Sequence, residues 1–286
     1  MLKTLSLNQL RGIIQITRPK VSIVAASYSL LGAYLSGSGR ELLSSTVLRA
    51  ALVVGLIVAF SFAINDYRDA DTDRLNHPER PIPSGRVSYR IARILSLALA
   101  LTALGIALTL GPLLTIIALF NIVLSTLYSY YLKSTVLIGK SVIAFLNASI
   151  VIYGSLAVGR LIPAIWIISL LTFLYSLAQE ILFAVGDQEG DAKTGLCTTA
   201  TYLGTTTSLH LFQLIALSFV VVAIGVWFLG LVPARYLFAM IPCSIFPLVG
   251  IVILLSRRVT NSSIHLSIRV IKFVRFFSLL PGILLK

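Results

Sequence analysis

Several residue classes are scarce in this 286-residue chain. Its two cysteines, Cys197 and Cys243, are too few and too far apart for a disulfide framework. Charged residues make up 12% of the chain, and only ten are acidic, which excludes an ordinary soluble domain. The three histidines are scattered, so no zinc-type spacing exists. The first 20 residues lack a small-residue cleavage site, and we expect no signal peptide.

Apolar residues are abundant instead. They form 57% of the chain, with a mean hydropathy of +0.96. Since a crossing needs about 17 residues, the runs predict an all-α, polytopic membrane protein of about nine spans in a single domain, 1–286. The predicted spans are 20–37, 46–66, 90–109, 112–132, 139–158, 162–183, 205–229, 236–256 and 268–285. Residues 5–17 are expected to form an interfacial helix or an ordered arm.

The basic residues predict the orientation in the cell membrane. About 18 of the 23 lie on the N-terminal arm, after even-numbered spans or on the flanks beside them. Under the positive-inside rule, the N-terminus is therefore cytoplasmic. The net charge of +13 has the same explanation, and no nucleic-acid-binding pattern accompanies it.

Nine of the ten acidic residues fall in two short segments. One covers residues 65–79 and the other residues 180–191, at the predicted cytoplasmic ends of spans 2 and 6; only Glu41 lies elsewhere. Carboxylates beside a membrane interior are costly unless they are neutralised. Two such clusters indicate bound divalent cations.

The spacing within each segment places carboxylates on one helix face. Asn65, Asp69 and Asp73 follow at i, i+4 and i+8, whereas Asp71 is expected to face solvent. Oxygen ligands without nearby histidine or cysteine favour Mg²⁺ or Ca²⁺. The predicted metal ligands, which are also the predicted catalytic residues, are Asp66, Asp69, Asp73, Asp187 and Asp191.

Mg²⁺ commonly binds through a few carboxylates and substrate phosphates. Basic residues on the same side would also contact the phosphates, and a membrane-embedded phosphate substrate is most simply a lipid diphosphate. One alternative is that the acidic segments are only solvated loops. Another is an ion-coupled transporter, although transporters place carboxylates near the bilayer midplane rather than at span ends.

The combined motifs resemble those of the UbiA superfamily of intramembrane prenyltransferases. Residues 65–73 match its NDxxDxxxD motif, and residues 80–85 match RPxPSG. The second motif, DxxxD with a following glycine, is matched by Asp187, Asp191 and Gly195. Residues 128–139 are similar to the YSxxLK…G element, and residues 18–19 to the start of the family.

The resemblance implies a nine-helix bundle around a central cavity open to the cytoplasmic side. Both motifs would bind Mg²⁺ and the diphosphate of a prenyl donor, and an acceptor would capture the allylic cation. Tyr67, Tyr128 and Tyr131 are candidates to stabilise cationic carbon. The predicted substrate-binding residues are Asn65, Arg74, Arg80, Ser84, Tyr128, Lys133 and Lys193.

Two local features are similar to the archaeal ether-lipid branch of this family. These are the short connection 73–80, which is also similar to that of chlorophyll synthases, and the DxEGD form of residues 187–191. They favour transfer of a geranylgeranyl group to the lipid acceptor geranylgeranylglyceryl phosphate; the alternative is an aromatic acceptor such as 4-hydroxybenzoate. In that branch the second motif is often preceded by Arg-Glu and Lys-Asp, where this chain has Gln179-Glu180 and Phe183-Ala184, so one basic residue and one carboxylate are missing. The chain also departs at Lys140, where the family commonly has Asn.

Overall fold

The computed structural model describes residues 7–277 and 279–286, and every regular element in those ranges is helical. Short 3₁₀ and π-helical turns lie at Gly39–Leu43, Tyr128–Leu132 and Ile241–Ile245. The helices are α1 Leu7–Ile16, α2 Pro19–Ser36, α3 Ser45–Asn76, α4 Tyr89–Leu108, α5 Pro112–Leu127, α6 Ile138–Ala157, α7 Pro163–Gly186, α8 Gln188–Lys193, α9 Thr199–Phe228, α10 Ala234–Met240, α11 Phe246–Arg257, α12 Asn261–Phe277 and α13 Leu279–Ile283.

Seven helical stretches in the described ranges are long and apolar enough to cross a membrane. They are α3, α4, α5 with its π turn, α6, α7, α9 and the continuous α10–α11 stretch, and they agree with predicted spans two to eight. The first predicted span corresponds to α2, and the last to part of α12 with α13. Neither of these meets the same criterion, so the count of nine stays a prediction.

Helix starts follow local chemistry. Pro19, Pro112 and Pro163 occupy first turns, where a missing N–H costs nothing. The span predicted to begin at 205 begins at Thr199 instead, because the Thr198 side chain caps the helix. Gly204, with φ 78°, then bends α9 in a conformation that a side chain would strain.

Small residues bring α2 and α6 into close contact. A Cβ on Gly154 would lie 1.8 Å from the Ser29 carbonyl oxygen, and one on Gly32 would lie 2.0 Å from the Val151 carbonyl oxygen. Only glycine permits this backbone approach, which is typical of helix pairs in membranes. The largest apolar core lies beside this pair, between α7, α9 and α11, and includes Phe212.

Contacts at the two ends of the bundle show where the chain termini lie. At one end Lys286 Nζ donates to the Tyr34 carbonyl oxygen at 2.9 Å, and Arg49 Nη1 donates to Thr109 Oγ1 at 2.7 Å. At the other end α1 packs its buried Ile16 against the apolar cluster near the acidic segments. Helix α1 agrees with the predicted N-terminal helix, whose residues 5 and 6 lie outside the described ranges. The C-terminus therefore lies at the end away from the acidic segments.

Candidate active site

The last turns of α3 carry the first acidic segment. Asp66, Asp69 and Asp73 are buried, with 5%, 8% and 4% of their surface exposed, whereas the Asp71 side chain is 82% exposed. This division follows the i, i+3, i+4 spacing, so the predicted shared face is confirmed. Three carboxylates thus point into the bundle from a single helix end.

Each buried carboxylate is paired with a cation from another part of the chain. Arg18 Nη2 donates to Asp66 Oδ1 at 3.1 Å, from a left-handed residue that precedes α2. Arg80, in the loop after α3, donates to both oxygens of Asp73. Lys133 Nζ, just after the π turn of α5, donates to Asp69. The negative charge is therefore balanced locally, as burial requires.

The second acidic segment runs from the last turns of α7 into the short helix α8. Asp187 ends α7 and is exposed, whereas Asp191, in α8, is half-buried. Burial and the neighbouring Asp187 carboxylate raise the pKa of Asp191, while Lys140, Lys133 and a hydrogen bond from Thr198 act in the opposite direction. Gly190 lies inside α8.

Lys133 and Tyr128 connect the two segments. Lys133 is bonded to Asp69 and also interacts electrostatically with Asp191. The Tyr128 hydroxyl lies within electrostatic range of both of these carboxylates. The two predicted motifs, more than 100 residues apart in sequence, therefore converge at one end of the bundle.

The other predicted substrate contacts divide into two groups. Asn65 Oδ1 is buried and has no hydrogen-bond partner among the described residues, so it is available to a ligand. Arg74 instead pairs with Asp71 on the exposed side, 3.3 Å away. Ser84 Oγ donates to the Pro81 carbonyl oxygen and supports the loop, and Lys193 is exposed in α8.

Only one of the three candidate tyrosines faces the convergent carboxylates. Tyr128 does so, as described above. Tyr67 packs edge-to-face on Tyr89, with ring centroids 6.1 Å apart. Tyr131 is 71% exposed beside Tyr130. The structure therefore retains Tyr128 as the candidate to stabilise cationic carbon and places the other two away from the site.

Sequence reasoning gave no role at the site to three charged residues. The sequence marks Arg18 only through the Arg-Pro match at residues 18–19, yet its side chain binds Asp66. Lys140 Nζ lies 4.0 Å from Glu180 Oε2, with both side chains largely buried. Two features of the sequence could have indicated this pair. Lys140 stands where the family commonly has Asn, and Glu180 is an acidic residue seven positions before the second motif.

The oxygen donors of the site suit a hard cation, although their present spacing does not form a metal site. Among the described residues, no three acidic, histidine or cysteine side chains are close enough together to hold a metal ion. The carboxylates near Lys133 and the orphaned Asn65 Oδ1 are nevertheless all oxygen donors, which Mg²⁺ prefers. The residues present therefore fit Mg²⁺ if the paired cations shift toward an incoming phosphate.

Comparison with known proteins identifies the family. The model of the UbiA prenyltransferase family matches residues 25–277. The chain belongs to the UbiA prenyltransferase family. It is therefore an intramembrane prenyltransferase, and the family and the all-α fold class predicted from the sequence are confirmed.

Individual relatives agree with this assignment. The digeranylgeranylglyceryl phosphate synthase of Methanopyrus kandleri is 35% identical over 235 residues, which cover 82% of this chain and 85% of that protein. A structure of a digeranylgeranylglyceryl phosphate synthase in membranes is 25% identical with a TM-score of 0.76, covering 98% of this chain and 99% of the other. A UbiA homologue from Archaeoglobus fulgidus bound to GPP and Mg²⁺ is 19% identical with a TM-score of 0.71, covering 94% and 99%, and shows the shared fold.

Proposed function

We propose that this prenyltransferase moves a geranylgeranyl group from its diphosphate to geranylgeranylglyceryl phosphate, and that it requires Mg²⁺. The observation that carries the proposal is the convergence of both aspartate motifs around Lys133. The names of the relatives support the acceptor, since the Methanopyrus kandleri protein is a digeranylgeranylglyceryl phosphate synthase.

The donor diphosphate would bind between the two aspartate motifs. Asp66, Asp69, Asp73, Asp187 and Asp191 would hold the metal, which when bound neutralises the diphosphate and stabilises it as a leaving group. Arg80 and Lys133 would turn from their carboxylates toward phosphate oxygens and orient the donor. The buried Asn65 amide oxygen, one turn before Asp69 on α3, would complete the polar surface.

The prenyl tail requires an apolar space that excludes water. Such a cavity lies deeper in the bundle, lined among others by Leu31, Ile168, Leu171, Tyr175 and Phe219. Tyr175 precedes Asp187 on α7 by twelve residues, so it lies about 18 Å further along the helix axis. A long prenyl tail anchored at the aspartates could extend toward this cavity, and an enclosed tail protects the allylic cation from water.

The acceptor distinguishes the proposal from its main alternative. 4-Hydroxybenzoate would accept the group on a ring carbon, whereas the glyceryl phosphate lipid accepts it on a hydroxyl oxygen. The short connection 73–80 and the DxEGD form of residues 187–191 support the lipid. The basic bias supports a site that faces the cytoplasm, where diphosphate and Mg²⁺ would exchange with solution while lipid tails enter from the bilayer.

An acceptor comparison tests this proposal. Detergent-purified protein would receive geranylgeranyl diphosphate with either the glyceryl phosphate lipid or 4-hydroxybenzoate, with Mg²⁺ or with excess chelator. We expect the lipid ether product by mass spectrometry, lost on chelation and restored by Mg²⁺. Alkylated 4-hydroxybenzoate as the only product would establish the aromatic alternative, and full activity in chelator would contradict the metal requirement.

A further inference from the structure

One buried ion pair beside the diphosphate site is not needed to bind the metal or the diphosphate. Lys140, in the first turn of α6, lies 4.0 Å from Glu180 of α7, and the two side chains are only 11% and 16% exposed. A buried pair of charges often stabilises a fold no more than apolar residues would. The same two helices are joined more simply by a hydrogen bond of 2.7 Å from Asn147 to Ser176. Helix packing therefore does not explain the pair.

Glu180 differs from every other acidic residue in its surroundings. The five aspartates of the two motifs are the proposed metal ligands. Asp71, Glu79 and Glu189 are exposed at the same end of the bundle, and Glu41 caps a turn at the opposite end. Among the described residues, Glu180 is thus the one largely buried carboxylate of a membrane-crossing helix that is not assigned to the metal.

The position of Glu180 corresponds to where an acceptor would react. It precedes Asp187 by seven residues on α7, so it lies about 10 Å further into the bundle. It nevertheless remains within electrostatic range of the Tyr128 hydroxyl, as do Asp69 and Asp191. The carbon that reacts is bonded to a diphosphate oxygen. It would lie on the side of the aspartates that faces the membrane-spanning part of the bundle. An acceptor hydroxyl beside that carbon would lie toward Glu180.

We propose that Glu180 accepts the proton of the acceptor hydroxyl, an inference that rests on the proposed function. The bond between the allylic carbon and the diphosphate oxygen breaks, and its electron pair leaves with the diphosphate. A lone pair of the acceptor oxygen forms the new ether bond to that carbon. The hydroxyl proton moves to the Glu180 carboxylate and is later released to solvent.

Lys140 acts here as a positioning residue. Its ammonium stabilises the negative charge of Glu180 and orients the carboxylate, while also interacting with Asp191. The 4.0 Å separation is longer than a normal hydrogen bond, so the Glu180 oxygens keep lone pairs available to a substrate. An aromatic acceptor, which loses its proton from carbon, would need a base placed against the ring plane instead.

Glu180→Gln provides the direct test because it keeps the shape and removes the basic oxygen. A positioned base contributes about 10²- to 10⁴-fold, so ether formation should fall within that range. The KM for geranylgeranyl diphosphate, and the rate of its Mg²⁺-dependent hydrolysis measured without acceptor, should change only a few-fold, because an attacking water can lose its proton to solvent. The ratio of alcohol to ether should therefore rise. Asp71→Asn serves as the control and should leave this ratio unchanged.

A neutral pair controls for folding. Lys140→Met combined with Glu180→Gln leaves no unpaired buried charge, so it should fold and show the same loss of ether formation. Near-normal ether formation by either variant, an equal loss of donor hydrolysis, or a neutral pair that does not fold would overturn the proposal. Wild-type protein that forms no lipid ether at all would instead refute the proposed function.

Discussion

Arg80 Nη1 donates to both carboxylate oxygens of Asp73, at 2.9 Å to Oδ1 and 2.7 Å to Oδ2. The same nitrogen lies 4.0 Å from Asp66. Burial alone would lower the pKa of Arg80, but Asp73 and Asp66 outweigh that effect and raise it. The loop after α3 is thus tied back to the helix that precedes it, and the guanidinium stays charged beside the expected diphosphate.

The stability of the loop should depend on this ion pair. Arg80→Met leaves Asp73 buried without its partner, which typically costs about 3–5 kcal/mol. Adding Asp73→Asn removes the unpaired charge and should recover most of that loss. Thermal unfolding in detergent would measure both effects. Equal stability of wild type and Arg80→Met would show that solvent already satisfies Asp73.

The two faces of α3 should respond differently to mutation. Asp69→Ala removes a proposed metal ligand and the partner of Lys133, so most turnover should disappear. Asp71→Ala removes a carboxylate that is 82% exposed, and its effect should be within a few-fold. Prenyl transfer rates at saturating Mg²⁺ would compare them. Equal damage from both substitutions would refute the helical-face argument.

The acid limb of activity should depend on Mg²⁺ concentration. Burial and Asp187 raise the pKa of Asp191, so its carboxylate keeps a proton to higher pH than an ordinary aspartate, whose pKa is about 3.9. Metal binding requires the deprotonated form, so Mg²⁺ affinity should weaken as pH falls through the raised pKa. The pH at which activity falls on the acid side should therefore depend on Mg²⁺. It should be lower at saturating Mg²⁺ than at low Mg²⁺.

The raised pKa of Asp191 should also affect the free energy of unfolding of the metal-free protein. Between the ordinary and the raised pKa, the folded protein holds a proton that the unfolded chain has released. Asp191 should therefore contribute a loss of stability as pH rises through that window. Unfolding midpoints in chelator should show this trend, and Asp191→Asn should reduce it.

Topology can be tested with the cysteines. Cys197 is exposed at the aspartate end, so the Cys243→Ser variant carries one reporter there. A second protein, with Lys286→Cys and both native cysteines replaced, carries its reporter at the opposite end. Impermeant reagents in sealed vesicles should label the two from opposite faces. Labelling from the same face would contradict an odd number of spans.

Patterns within one helix were predictable from the sequence. The i, i+4 spacing of Asp69 and Asp73 defines a shared face whatever that helix packs against, and the long apolar runs give seven of the spans. Contacts between distant segments were not predictable in this way. The pairing of Arg18 with Asp66 depends on a left-handed residue before α2, and that of Lys140 with Glu180 depends on how α6 packs on α7.

The central claim is that both aspartate motifs form a single Mg²⁺-diphosphate site, and a double-mutant cycle tests it most directly. Mg²⁺-dependent binding of a non-reactive prenyl diphosphate analogue would be measured for Asp69→Asn, Asp191→Asn and the double variant. Residues that act on one ligand as a unit are not additive. The account predicts that each single substitution loses most affinity and that the double variant is little worse than either. Fully additive losses, or normal affinity in either single variant, would contradict it.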